Sequence, residues 1–260
     1  MDGLTTVNIE LTSRCNKNCW MCGRRKQEKE YPELCNWGDM PFKMVEKIES
    51  QIYESIVVQF HWDGEPTLYP ELGKALSLFE GHIRQFDTNG KLLVEKADEI
   101  IDNLEILTLS VIQDDPEAEE QYEILRRFLS IKKEKKPRMV YRCLGNVETA
   151  PYKDLPGIVA TRILHDPMGS FNYKKKVTIP EIGICLEILN RLAIDRFGNV
   201  SPCVRFDPYK RNILGNISVS SLSEIWYGCD RECLKKLHIN GNRNNIDFCS
   251  NCDYWGVANG

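Results

Sequence analysis

The chain opens on TTVNIEL, in which apolar and polar residues alternate, and this predicts a first β-strand over Thr5–Leu11. Further short apolar runs bounded by turn residues predict strands at Ile56–His61, Ile83–Asp87, Ile106–Val111, Arg138–Leu144 and Gly157–Leu164. Helical stretches separate most of them, at Pro41–Glu54, Pro70–Glu80, Lys91–Asp102 and Glu117–Lys135. Six strands with intervening helices call for a parallel sheet with right-handed crossovers, open or curled into a partial barrel. The expected fold class is therefore α/β, a partial (β/α)6 TIM-like barrel over residues 1–170. Functional residues should gather at the C-terminal ends of its strands.

The alternation stops after residue 166. His165-Asp166-Pro167-Met168-Gly169 reads as a turn, and Tyr173–Val177 as a short basic stretch. A hairpin follows, with Leu192–Asp195 and Asn199–Pro202 flanking Arg196-Phe197-Gly198, where Gly198 can take a positive φ. Ser221–Tyr227 reads as a helix, and a polar, Asn- and Gly-rich run leads to the last cysteine pair. Residues 171–260 thus form a small second unit, of a size supported better by metal ligation than by its own core. The basic run Lys132–Lys136 is the solvated end of a helix.

A net charge of −4 gives no electrostatic case for nucleic acid or an anionic membrane as partner. No apolar run approaches the roughly 18 residues of a membrane span. The first residues lack a signal peptide's layout, so a cytoplasmic location is expected. Eleven cysteines are many for a reducing compartment. Their odd count and the absence of an export signal argue against a disulfide scaffold and for metal ligation.

Cys15, Cys19 and Cys22 stand together in ELTSRCNKNCWMCGRR, just after the first strand. Three thiolates are one ligand short of a closed tetrahedral zinc site or a fully ligated iron–sulfur cube. They suit a [4Fe–4S] cluster that keeps one iron open. The C-x3-C-x2-C loop after a first strand resembles the signature of the radical S-adenosylmethionine superfamily. His61-Trp62-Asp63-Gly64-Glu65-Pro66 resembles that family's Gly-Gly-Glu-Pro motif, with Asp63 in place of the first Gly. Thr88-Asn89-Gly90 ends the third strand, as such a turn often does in the family.

The resemblance implies that S-adenosylmethionine completes the open iron and is cleaved reductively to a 5′-deoxyadenosyl radical. It implies cofactor contacts from Met21 near the adenine, from Gly64, Glu65 and Pro66 at the methionyl amino group, and from Asn89. By position, Ser110 and Arg142 would meet the ribose or carboxylate. An external electron donor such as a flavodoxin or ferredoxin is expected. Glu65 reads equally as a loop cap, Thr88-Asn89-Gly90 as a generic turn, and Arg142 as an ion-pairing residue.

A second set, Cys185, Cys203, Cys249 and Cys252, has enough thiols to close a cluster or a zinc site. Cys185, Gly198 and Cys203 are separated by twelve and four residues, and Cys249 and Cys252 form a C-x2-C. This arrangement resembles the SPASM/twitch extension of the same enzymes. With no cysteine after Cys252, it implies the shorter twitch form, a hairpin plus helix with one auxiliary [4Fe–4S] cluster. Cys35, Cys143, Cys229 and Cys233 remain. If Arg142 faces the barrel interior, Cys143 faces out. A hydrogen-donating thiol would then be Cys35, Cys229 or Cys233.

The fate of the substrate radical decides the reaction. Loss of an electron gives oxidation, return of hydrogen to the other face gives an epimer, and attack on a neighbouring group gives a new bond. Only fourteen residues precede Cys15, which leaves no room there for a peptide-recognition domain. A small polar substrate is therefore expected: a sugar, aminocyclitol or nucleotide sugar. His61 and His165 are candidate substrate contacts at strand ends, with Asp63 and Asp166 beside them. A peptide modifier and a non-catalytic iron–sulfur or zinc protein are the alternatives.

Overall fold

The computed structural model describes residues 1–162, 164, 184–205, 207–250 and 252. The candidate His165, the turn around it and the basic stretch Tyr173–Val177 lie outside them.

All six expected strands form: β1 Thr6–Ile9, β2 Val57–Gln59, β3 Ile83–Thr88, β4 Ile106–Ile112, β5 Arg138–Leu144 and β6 Ile158–Arg162. They pair in sequence order and in parallel, each with the next. This is the mixed α/β, parallel-sheet architecture of a partial barrel. Strand parity divides the side chains: Met139, Tyr141 and Cys143 of β5 pack into the core, while Val140, Arg142 and Leu144 alternate to the other face. Cys143 is fully buried in that core, turned away from Arg142 as expected.

Three helices follow the sequence, with shorter ends. They are Phe42–Glu49, Leu72–Leu78 and Ala118–Lys132. The fourth is cut to Ala97–Ile100. Before it, the Asn89 carboxamide oxygen accepts from Lys91 N at 3.0 Å, an Asx turn that competes with a helical first turn. The charge-rich helix Gly23–Glu30, unread in the sequence, begins directly after Cys22 and buries none of its residues. Its ion pairs run along its own surface, from Arg24 to Glu28 at 3.0 Å and from Lys26 to Glu30 at 3.7 Å. Strands β3 and β4 are joined by Arg84, whose buried guanidinium and backbone N–H donate to Glu105 at 2.9–3.0 Å.

The C-terminal unit is not the loosely supported appendage its size suggests. Its strands β7 Arg191–Ile194, β8 Asn199–Ser201 and β9 Gly215–Asn216 extend the barrel sheet, giving the order β6-β5-β4-β3-β2-β1-β7-β8-β9. β7 lies parallel to β1, with Thr6 opposite Arg191 and Ile9 opposite Ile194. β8 then returns antiparallel, with Gly198 at φ 81° in the turn. Leu192, Ile194, Val200, Ile217, Leu222 and Trp226 belong to the same apolar core as Val7 and Val58. The hydrophobic effect at this seam therefore holds the unit as it holds the barrel.

The expected helix is Leu222–Trp226, with a capping box between Ser221 and Glu224. Beyond it a second helix runs over Cys229–Ile239 and sets Cys229 and Cys233 one turn apart, as their spacing in the sequence suggests. Arg231 anchors that helix, its guanidinium stacked 3.3 Å from the centroid of Trp226 and donating to the carbonyls of Ile188 and Leu189. Among the described residues, no helix is long and apolar enough to cross a membrane.

Candidate functional site

The chain leaving β1 turns at Thr12 and Ser13 and enters the cysteine loop at the C-terminal end of the strands. Backbone packing fixes this entry. A Cβ on Gly64 would fall 2.0 Å from the Thr12 carbonyl oxygen and 2.9 Å from that of Arg14, so only glycine fits. Glu65 N donates to Arg14 O at 2.8 Å, one residue before Cys15.

Glu65 itself is 2% exposed and turned inward. One carboxylate oxygen accepts from Thr67 N, Thr67 Oγ1 and Thr88 Oγ1 at 3.1, 2.7 and 2.7 Å. The other accepts from Asn89 N at 2.7 Å. The loop-cap reading of Glu65 thus describes its contacts: it ties the Gly64-Glu65-Pro66 turn to the Thr88-Asn89-Gly90 turn. Asn89 continues the connection, its amide donating to Asn16 at 2.8 Å and lying 4.0 Å from Cys15 Sγ.

Lys17, inside the loop, is buried and meets Asp115 at 2.5 Å and Glu117 at 3.5 Å. Lys91 meets Glu117 at 2.6 Å and the Asn16 carbonyl at 3.3 Å. This network, absent from the sequence reading, pins the loop to the end of β4. Met21 lies half-buried beside Cys22.

All eleven cysteines are free thiols. Burial raises the pKa of Cys15, and pushes Cys19 up to about 12 and Cys22 up to about 11, with Cys15 opposing the ionisation of both and Cys22 that of Cys19. Among the described residues, no three His, Cys, Asp or Glu side chains are grouped closely enough to hold a metal ion. The donor set nevertheless fits an iron–sulfur cluster. Three half-buried thiolates in one loop become compatible when a cationic cluster neutralises them.

The second set behaves alike. Burial raises Cys185 and Cys203 and pushes Cys249 up to about 12. Cys185 and Cys249 each sense Cys252, and Cys203 senses Cys249, so thiols from three separate segments converge. Cys229 and Cys233 lie exposed on Cys229–Ile239, and Cys35 stands 3.7 Å from the Tyr31 carbonyl.

Along the strands, beside the second cysteine set, is a cavity of about 360 Å³. It is lined from β2 to β6 by His61, Asp87, Arg142 and Arg162, and from the C-terminal unit by Arg191 and Arg205. Glu187 and Val204, near Cys185 and Cys203 in the chain, also reach it. His61 Nε2 stands 3.5 Å from Asp87 Oδ2, while its Nδ1 is buried without a hydrogen-bond partner. Burial lowers the His61 pKa, keeping the ring neutral near pH 7. The acidic partner of His61 is thus Asp87 rather than the adjacent Asp63, which lies with Glu10 and Asp195 around a smaller cavity below the hairpin turn.

Arg142 also pairs with Asp87. Burial opposes the ionisation of Asp87, but His61 and Arg142 together hold its pKa below the ordinary value. Ser110 is the register partner of Arg142 on the same face. Asp87, Arg162, Arg191 and Arg205 were missed in the sequence. For Asp87 and Arg162, inward strand parity was a usable signal, since Arg162 lies two residues beyond Ala160, the partner of Arg142.

A cysteine loop at the end of the parallel strands, and a second thiol set on the sheet that extends them, resemble the layout of a radical S-adenosylmethionine protein with a SPASM extension. Residues 185–253 match the SPASM iron-sulfur cluster-binding domain. The chain is similar to the S-adenosyl-L-methionine-dependent 2-deoxy-scyllo-inosamine dehydrogenase of Niallia circulans, with 26% identity over 97% of this chain and 94% of that protein. Its fold matches the crystal structure of BtrN in complex with AdoMet and 2-DOIA, with a TM-score of 0.63 and 19% identity over 96% of this chain and 92% of the other. It also matches Streptococcus suis SuiB bound to precursor peptide SuiA, with a TM-score of 0.58 and 16% identity over 99% of this chain and 72% of the other.

Proposed function

We propose that the chain is a radical S-adenosylmethionine dehydrogenase that oxidises a small polar molecule, in the same broad class as the inosamine named for its relative. Cys15, Cys19 and Cys22 would hold the cluster that binds S-adenosylmethionine. Cys185, Cys203, Cys249 and Cys252 would hold a single auxiliary cluster of the twitch type. When bound, these groups supply a 5′-deoxyadenosyl radical that takes a hydrogen atom, and an acceptor for the electron that oxidation releases.

The observation that carries this reading is the polar cavity that the strands share with the residues beside the second thiol set. At about 360 Å³ it suits a small molecule rather than a peptide segment. Oxidation of an alcohol also requires loss of its hydroxyl proton. We assign that proton to His61, which burial keeps neutral and Asp87 orients. Asp87 is fixed in turn by Arg142.

Epimerisation would need a thiol at the cavity to return hydrogen. Apart from the two ligand sets, the cysteines are Cys143 in the core, Cys229 and Cys233 on an exposed helix, and Cys35 beside Tyr31, and no cysteine lines the cavity. This favours oxidation. Glu65 supports the cofactor's seat by holding two turns together, and Met21, Gly64, Pro66, Asn89 and Ser110 are assigned around it.

Anaerobic reconstitution tests the reading. Roughly eight irons per chain and reductive formation of 5′-deoxyadenosine are expected. Replacing Cys15, Cys19 and Cys22 by Ala should abolish that product, and its persistence would refute the assignment. Replacing Cys249 and Cys252 should remove about half of the iron and leave the first cluster visible by electron paramagnetic resonance.

A further inference from the structure

Two neighbouring strands present matching patterns to the cavity. The end of β2 reads Gln59-Phe60-His61, and β3 carries Gln85-Phe86-Asp87. Gln59 and Gln85 are register partners. The pairing continues one residue further, where Phe60 N donates to Gln85 O at 2.8 Å. Strand parity then sorts the side chains. Phe60 and Phe86 are fully buried in the apolar core, while Gln59, Gln85, His61 and Asp87 all line the cavity. The result is a ladder of two rungs. His61 and Asp87 form the upper one, towards the cysteine loop, and Gln59 and Gln85 the lower.

The lower rung is left open. Gln59 is only 6% exposed, yet neither its carboxamide nor that of Gln85 makes a hydrogen bond to a described residue. Carboxamides side by side on adjacent strands can bond to each other, and these do not. Asn8, the register partner of Gln59 on β1, shows the contrast. Its carboxamide donates to the His61 carbonyl and accepts from Arg191, each at 3.2 Å. A polar group this deep is normally paired, because an unmade hydrogen bond costs about 1–3 kcal/mol. The two free amides therefore look to the cavity for their partners.

A carboxamide presents a donor and an acceptor and carries no charge. A hydroxyl likewise donates and accepts, whereas an oxyanion only accepts and an ammonium only donates. Two carboxamides on strands about 4.8 Å apart therefore suit two neighbouring hydroxyls. The rungs are two residues apart, about 6.6 Å along the strands. A six-membered ring spans such a distance, with one hydroxyl at His61 and others at the glutamines. We propose that Gln59 and Gln85 form a subsite for neighbouring hydroxyl groups of a six-membered polyol ring, one rung below His61 and Asp87. This rests on the reading of the chain as a radical dehydrogenase of a small polar molecule, and it names the substrate's class. The glutamines select the ring and set which of its carbons stands at His61.

The test is calorimetric titration of the anaerobically reconstituted full chain, with S-adenosylmethionine present and no reductant. The polyol probes are myo-inositol, 2-deoxy-scyllo-inosamine and methyl glucoside, with cyclohexanol as the ring that lacks neighbouring hydroxyls. At least one polyol should bind with a dissociation constant below about 1 mM and about tenfold or more tightly than cyclohexanol. Gln59→Leu and Gln85→Leu should each weaken that polyol about tenfold. Affinity for S-adenosylmethionine alone should stay within about twofold in both variants. Iron content and circular dichroism serve as folding controls, and Gln85, the less buried of the two, keeps the test open should Gln59→Leu fail to fold. Absence of polyol binding, equal binding of cyclohexanol, or polyol affinity indifferent to the substitutions would each overturn the proposal. So would a loss of S-adenosylmethionine affinity, which would give the glutamines to the cofactor instead. Formation of 5′-deoxyadenosine on reduction without any polyol reports separately on the radical reading, so either idea can fail while the other stands.

Discussion

Replacing Glu65 by Gln tests the internal tie beneath the cysteine loop. The side chain is 2% exposed and all four of its hydrogen bonds come from protein donors, three to one oxygen and one to the other. A carboxamide has only one acceptor atom. Its best orientation keeps the oxygen towards Thr67 and Thr88 and turns the NH2 group against Asn89 N–H, leaving two donors facing each other. A buried donor without an acceptor costs about 1–3 kcal/mol. With a urea slope of about 2 kcal/mol/M, the midpoint should fall by about 0.5–1.5 M. Glu65→Ala abandons the backbone donors of both Thr67 and Asn89 and should cost about 2–6 kcal/mol. The assay is urea unfolding of the metal-free chain followed by circular dichroism, which separates this structural role from any contact with the cofactor. A Glu65→Gln chain as stable as its parent within about 0.5 kcal/mol would refute the reasoning.

Three further outcomes follow from the same coordinates. Burial acts to raise the Glu105 carboxyl, but Arg84 and Lys136 hold it down to about 2. Its pairing therefore stabilises the fold above the ordinary carboxylate range and is lost as pH falls from about 5 towards 2; after solvent screening, about 1–2 kcal/mol is at stake, and Glu105→Gln should flatten melting temperature against pH in that window. Lys17→Met should cost about 3–5 kcal/mol in denaturant by stranding Asp115, whose side chain is 4% exposed, while adding Asp115→Leu should recover most of the loss. Gly198→Ala should cost about 1–2 kcal/mol in thermal unfolding, because φ is 81° and the new Cβ would lie 2.9 Å from Ile217 Cγ1.

The strands were legible because each alternates or runs apolar over a few residues between turn signals, and Gly198 declared its hairpin turn in advance. The cysteine spacings pointed to both thiol sets. Local patterns did not reveal what depends on distant pairing. Glu65 reads as a cofactor contact in isolation, and its ties to Thr67, Thr88 and Asn89 appear only in the fold. The helical spacing of Cys229 and Cys233 was legible, but the anchor of Cys229–Ile239 was not, because it is a buried arginine rather than an apolar face. Arg191 and Arg205 acquire meaning only when β7 joins β1 and brings them opposite β5 and β6.

The junction between β1 and β7 also bears on synthesis of the chain. β1 pairs with β2 soon after both are made, but its other edge has no partner until Arg191–Ile194 is available. Through most of translation, the nascent barrel therefore presents an open strand edge, a template for pairing with other chains. Contacts so distant in sequence also form slowly once the chain is complete. Truncating after the sixth strand would make that interval permanent, so the first 170 residues expressed alone should aggregate rather than yield a free-standing barrel.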